Sequence, residues 1–298
     1  MSLKVDQLTK HFGEKTAVDH FSFEMDAPGV FGLIGTNGAG KTTTIRMILG
    51  ILQPDEGSAL WDGQKITRET LAFGYMPEER GIYMKNKVLE QLVYFGQLRG
   101  MKKNDARQSA LKLLERMGVL EYKDMPAEKL SKGNQQKIQL ISTLIHDPRL
   151  LFLDEPFSGL DPVNAELLKQ VIGELVEEGK YIVMSSHQMS TVEEYCENLA
   201  ILDHGKTLLK GNLREIKAGY GHTNLILSTA QPVEAYAEEA GLLLIEKRAD
   251  ETEYKIQGDA MANHFLQFLI SKEIYPLKFE IKEPSLHEIF LEKVGEQE

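Results

Sequence analysis

The chain's hydrophobic positions follow two different periods. Val30–Ile34, Leu150–Leu153 and Tyr181–Met184 are short continuous apolar runs, the pattern of strands buried on both faces. Between them, apolar residues recur at helical spacing. Thr42–Leu52 and Glu166–Glu178 read as helices, and Val88–Gly118 is helical with Leu89, Leu92, Val93 and Phe95, then Leu111, Leu113, Leu114 and Met117. This alternation predicts an α/β core with a helical insert near residues 80–140. Pro54–Gly57 interrupts the pattern, and Asp62-Gly63 predicts a tight hairpin turn between Ser58–Trp61 and Gln64–Thr67. The first segment therefore adds antiparallel hairpins to a parallel sheet.

Beyond about Gly219 the texture changes. Asn224–Ser228 reads as strand and Val233–Ala240 as helix, and Leu242–Lys247 pairs with Thr252–Ile256 around Ala249–Glu251. Met261–Lys272 is helical and Tyr275–Ile281 extended, so the order is βαββαβ, that of a small ferredoxin-like α+β domain. Ser285 followed by Glu288 is a capping-box start for a last helix, Leu286–Val294. The expected division is a first domain over residues 1–215 and an accessory domain over 220–298.

Composition narrows the function classes. With 45 acidic and 34 basic residues the net charge is −11, which opposes broad contact with nucleic-acid phosphates. The single cysteine, Cys196, permits no internal disulfide, and its place in the helical run Ser190–Asn198 suggests a buried structural thiol. No apolar stretch approaches the roughly 18 residues that span a bilayer, and the N-terminus lacks the basic start and apolar core of a signal peptide. The expected location is the cytoplasm.

Two elements carry chemistry. Gly35-Thr36-Asn37-Gly38-Ala39-Gly40-Lys41-Thr42, with Thr43 next, follows a strand and opens a helix. This is the P-loop pattern. Its glycines let backbone N–H groups turn toward phosphate oxygens, Lys41 reaches the β- and γ-phosphates, and the Thr42 hydroxyl is a ligand for Mg²⁺. The helix adds its positive N-terminal end. Leu150–Asp154 is an apolar strand that ends in acid, with Glu155 next. Beside a P-loop, Asp154 is the candidate to hold Mg²⁺ and Glu155 the candidate general base for an attacking water.

The order of these two elements around Leu130-Ser131-Lys132-Gly133-Asn134-Gln135-Gln136 resembles the ATPase domain of ABC transporters, over roughly residues 1–215. The resemblance implies a P-loop NTPase fold: a RecA-like core with an antiparallel β subdomain and a helical subdomain. It implies ATP hydrolysis with Mg²⁺ in a head-to-tail dimer, formed with a second copy or a homologous subunit, that drives a separate membrane-spanning subunit from the inner face of the membrane. Residues 130–136 then match the signature segment, with Ser131 and Gly133 placed against the partner's ATP. Lys132 stands where a second glycine is usual, and Asn134 where glutamine is usual. Read alone, the segment is a helix N-cap, and both readings describe one helix terminus.

Four shorter pieces extend the resemblance. Phe12 matches the aromatic that stacks on adenine, Ser158-Gly159-Leu160-Asp161 the loop that crosses the dimer interface, and His187 the switch histidine at the γ-phosphate. Glu78, in Gly74-Tyr75-Met76-Pro77-Glu78, stands where the family has glutamine. It either approaches the metal or points to solvent at a strand end. Pro77-Glu78-Glu79-Arg80-Gly81 and the C-terminal domain resemble a branch of sodium-efflux and drug-efflux exporters. A soluble ABC ATPase acting on ribosomes or DNA is disfavoured by the single ATPase unit, the absence of a long heptad insert and the charge. A P-loop small-molecule kinase does not account for the signature segment or the histidine.

Overall fold

A computed structural model describes residues 1–67, 72–79 and 81–295, so Arg80 of the Pro77–Gly81 string lies outside the described residues. The chain divides into two compact units, Met1–Lys210 and Gly211–Glu298.

The first unit opens with β1 (Leu3–Phe12) and β2 (Lys15–Met25), then β3 (Gly29–Ile34) and helix α1 (Lys41–Ile48). β4 (Glu56–Trp61) and β5 (Gln64–Lys65) form the hairpin expected at Asp62-Gly63, whose residues have φ of 48° and 77°. Both angles lie in the left-handed region that a primed two-residue turn needs. β2, β1, β4 and β5 make one sheet in that order. The pattern 88–118 resolves into two helices, α2 (Val88–Leu98) and α3 (Lys103–Arg116). They are separated at Gly100, whose φ of 86° ends the first helix.

The second sheet has the order β10-β9-β3-β8-β7-β6. It contains β6 (Phe73–Met76), β7 (Leu150–Asp154), β8 (Tyr181–Ser186), β9 (Asn198–Asp203) and β10 (Lys206–Asn212). β6, β7, β8, β3 and β9 run parallel. Every residue of β7 and β8 is buried, which is why both read as continuous apolar runs. Helices α4 (Lys132–Leu144), α5 (Pro162–Glu177) and α6 (Met189–Tyr195) connect these strands. α5 begins four residues before the periodicity suggests. Asp161 caps it and Pro162 occupies its first turn, a start written in cap chemistry rather than in apolar spacing.

The core lies between the two sheets with α1 inside it. Phe21 and Phe23 of β2, Phe31 of β3, Ile45 and Ile48 of α1, and Phe152 of β7 belong to one buried cluster. Phe23 stacks on Phe31 at 4.1 Å between ring centroids, joining sheet to sheet. Cys196 is buried at the end of α6, and burial pushes its thiol pKa up.

The second unit begins with the end of β10 and α7 (Leu213–Tyr220), followed by β11 (Asn224–Ser228), α8 (Glu234–Glu239), β12 (Leu243–Lys247), β13 (Thr252–Lys255), α9 (Asp259–Ser271), β14 (Lys278–Lys282) and α10 (Leu286–Gly295). Its antiparallel sheet has the order β12-β13-β11-β14, the βαββαβ arrangement read from the sequence. The capping box forms as expected. Ser285 N donates to Glu288 Oε2 at 2.9 Å, and Glu288 N donates to Ser285 Oγ at 3.2 Å.

Candidate nucleotide site

Strand register builds the site. Ile34 lies opposite Ser186, Leu33 opposite Ser185, and Ser185 opposite Asp154. The C-terminal ends of β3, β8 and β7 are therefore level, where an open α/β sheet gathers ligand groups. The glycine loop leaves β3, Asp154-Glu155 leaves β7 and His187 leaves β8.

The loop wraps the start of α1. Gly40 caps that helix at φ 108°, and a Cβ there would stand 2.5 Å from the Ala17 carbonyl oxygen, so only glycine fits. A cavity of about 320 Å³ lies over the loop, lined by Phe12, Lys15, Ala17, Asn37–Thr43, Glu78 and Glu155. Gly35 and Thr36 stand behind this wall, and their carbonyls accept hydrogen bonds from Lys41 Nζ at 2.7 and 3.2 Å. Phe12 is 52% exposed, so it is no core residue. Lys15 joins Phe12 on the wall, and sequence reading missed it because one lysine on an edge strand has no distinguishing pattern.

Glu155 is 5% exposed and sits between two basic groups. Its Oε1 is 3.2 Å from Lys41 Nζ, an ionic contact without hydrogen-bond geometry. His187 Nδ1 lies 2.8 Å from Oε2, and the His187 backbone N–H donates to the same oxygen at 3.3 Å. A carboxylate only accepts, so this nitrogen carries the proton. Glu155 has φ 53°, a left-handed conformation that turns the chain sharply off β7.

Asp154 is almost wholly buried. Burial pushes its carboxyl pKa up, with hydrogen bonding from Ser185 and Thr42 in opposition. Ser185 Oγ donates to Asp154 Oδ1 at 2.5 Å and accepts from Glu155 N at 3.0 Å, so one hydroxyl fixes both acidic residues. Its position two residues before His187 was visible in the sequence, but its role was not. Among the described residues, Asp154 Oδ2 is buried without a hydrogen-bond partner. Among the described residues no group of three or more His, Cys, Asp or Glu is arranged to hold a metal. An orphaned carboxylate oxygen near the Thr42 hydroxyl is nevertheless an all-oxygen set of the kind Mg²⁺ takes once phosphate oxygens and water complete it.

A second cavity of about 110 Å³ adjoins the first. Glu78 and Glu155 line both, and Lys132, Gln136, Gln139, Asp154, Ser158 and Gly159 line the second. Glu78 is exposed and borders the nucleotide cavity, and Lys132 borders the same cavity as the chain's own Asp154 and Glu155. Ser131, Gly133 and Asn134 do not line the P-loop cavity. Ser131 caps α4 by accepting from Asn134 N at 3.3 Å. A Cβ on Gly133 would stand 2.8 Å from Asn164 Nδ2, an amide already bound to Asp161. The signature turn therefore packs closely on the loop that ends at Asp161. There Asp161 Oδ1 accepts from Asn164 N at 2.9 Å, and that bond holds the carboxyl below its usual range. Leu160 precedes this cap and is partly buried.

The family model for ABC transporters matches residues 18–158, and a model for the C-terminal domain of DrrA1-3-like ATP-binding proteins matches residues 211–294. The chain is 46% identical over 294 residues to an uncharacterized ABC transporter ATP-binding protein, YhaQ, of Bacillus subtilis (strain 168), with 98% of each chain covered. This protein belongs to the ATP-binding subunits of ABC transporters. It is also 30% identical to the linearmycin resistance ATP-binding protein LnrL of the same organism, again with 98% of each covered. A solved ATP-binding subunit of an ABC transporter superimposes with a TM-score of 0.67 at 28% identity, covering 74% of this chain and 93% of that one. As an ABC-type ATPase the chain binds and hydrolyses ATP. Among the described residues no helix is long and apolar enough to cross a membrane.

Proposed function

We propose that this ATPase is the motor of an exporter, working as half of a head-to-tail dimer that closes around two ATP and drives a separate membrane-spanning subunit from the inner face of the cell membrane. The observation that carries the reading is the convergence of Lys41, Asp154, Glu155 and His187 on the level ends of three adjacent parallel strands. The exporter direction draws on the similarity to LnrL, whose name denotes resistance, and to the DrrA1-3-like C-terminal domain.

The groups divide the work by their present contacts. The amides of residues 35–43 cradle phosphate, and the exposed face of Phe12 stacks on adenine. Lys41 exchanges its carbonyl partners for β- and γ-phosphate oxygens, which releases Glu155 Oε1. That oxygen then takes a proton from the attacking water while His187 holds Oε2 in place and faces the γ-phosphate. Thr42, Asp154 Oδ2 and, from the cavity wall, Glu78 are the groups to hold Mg²⁺, which neutralises charge on the phosphates when bound. Ser131, Lys132, Gly133 and Asn134 of a second copy close the open side of the cavity, and Ser158–Asp161 crosses between the copies. The remaining chemistry is positioning and electrostatics.

A soluble role on ribosomes or DNA would require a cationic face, which a net charge of −11 does not favour. The test is reconstitution. The chain is co-expressed with multi-span membrane proteins from its own genome, and its ATPase rate is measured with and without each. A stable complex with altered turnover supports the motor reading. No association, with turnover stimulated by ribosomes or DNA instead, would overturn it.

A further inference from the structure

Helix α4 starts at the signature cap Ser131 and carries two glutamines that reach the loops of the chain's own nucleotide cavity. Gln139 is 4% exposed. Its Nε2 donates to Pro77 O at 2.6 Å and to Glu79 O at 3.2 Å, the carbonyls on either side of Glu78. One turn earlier, Gln136 Nε2 donates to Pro156 O, the residue after Glu155. Residues three apart share a helix face, so both amides point to the same side of α4. Thr143 Oγ1 adds a bond to Tyr75 O at 3.3 Å, just ahead of the same loop.

These bonds hold backbone, not side chains, so they set where the loop runs. Gln139 is buried, so its amide has no water to take in place of the two carbonyls. A helix transmits displacement along its axis with little loss, and Ser131 and Gln139 are separated by only about 12 Å at the helical rise. Glu78 is thus mechanically joined to the helix end that faces outward, with Gln139 as the joint.

We propose that Gln139 is a positioning residue that ties α4 to the Glu78 loop, so that movement of the signature end shifts Glu78 within the same chain's nucleotide cavity. The proposal rests on the reading of Glu78 as a group at the metal side of ATP. It differs from the helix-capping and packing roles of the other α4 residues, because its effect passes through one carboxylate.

The experiment is a double-variant cycle on the full chain with Q139M, E78Q and the pair. Methionine keeps length and burial but removes the donor. Expected for Q139M are an ATP KM within about twofold of wild type, kcat lower by about tenfold for two lost hydrogen bonds, and a raised Mg²⁺ requirement matching that of E78Q. The pair should be no worse than the worse single variant. If Q139M does not fold by circular dichroism, Q139N, whose amide is too short to reach both carbonyls, replaces it. Wild-type kcat and Mg²⁺ dependence in Q139M beside an altered E78Q would overturn the tie and leave the Glu78 reading standing. Both variants matching wild type would overturn the Glu78 reading itself. Multiplicative losses in the pair, or a changed Q139M beside an unchanged E78Q, would show Gln139 acting through packing alone and overturn the proposal.

Discussion

His187 Nδ1 and Glu155 Oε2 lie 2.8 Å apart, and the His187 backbone N–H bonds the same oxygen. One residue therefore fixes the carboxylate twice, by ring and by main chain. His187→Ala removes only the ring, so Glu155 should stay roughly in place but lose its orientation and the contact toward γ-phosphate. Turnover is expected to fall by about 10²-fold, the lower range for a positioned proton-transfer group. ATP affinity, followed by nucleotide titration, should change by less than about threefold. A variant with wild-type turnover would remove His187 from the site.

Lys41 spans two networks, the carbonyls of Gly35 and Thr36 and the carboxylate of Glu155. Lys41→Ala leaves Glu155 buried beside no ammonium and leaves the phosphates without their cation. Steady-state ATPase with Mg²⁺ should be lost, by about 10³-fold or more. Near-normal turnover would end the P-loop assignment.

The placement of nucleotide residues predicts what the second unit does not do. Each residue assigned to nucleotide or signature lies before Lys210, inside the first compact unit. A chain ending near residue 219 should bind ATP with an affinity within a few-fold of the full chain. Loss of binding in a truncation that keeps its circular dichroism spectrum would contradict this division.

His146 offers a pH test remote from catalysis. Its Nε2 lies 3.1 Å from Phe73 O, and burial, aided by the charge of Arg99, pushes its pKa down to about 4. It is neutral when folded, yet in the unfolded chain it takes a proton near pH 6.5. The unfolded state then binds a proton the folded state does not, so stability present above pH 6.5 is lost as pH falls toward 4. Thermal melts of wild type should decline more steeply over that window than those of His146→Gln, which keeps an amide donor and cannot titrate. Parallel declines would contradict the assignment.

The parts legible in the sequence were those whose physics is local. The P-loop needs glycines at fixed offsets, and Gly40 shows why: its positive φ and the Ala17 carbonyl leave no room for a side chain. Buried strands betray themselves by unbroken apolar runs, as β7 and β8 do. Less legible were contacts made across the fold. Ser185, Gln136 and Gln139 are ordinary polar residues until strand register and helix packing bring them to Asp154, Pro156 and the Glu78 loop. The only trace was polar residues on an otherwise apolar face, since Gln135 and Gln139 of α4 are buried. The start of α5 was missed for a related reason, because Asp161 and Pro162 mark a helix by capping rather than by periodicity.

In the proposed mechanism Glu155 activates the water that breaks down ATP held between two copies of this chain. Glu155→Gln keeps the side chain's shape but cannot accept a proton. Light scattering of this variant, with and without ATP and Mg²⁺, separates the two roles of dimer closure and hydrolysis. The expected result is a 33.6 kDa monomer that converts to a stable dimer of about twice that mass when ATP is added, with hydrolysis abolished. A variant that hydrolyses ATP at the wild-type rate, or remains monomeric with ATP bound, would contradict it.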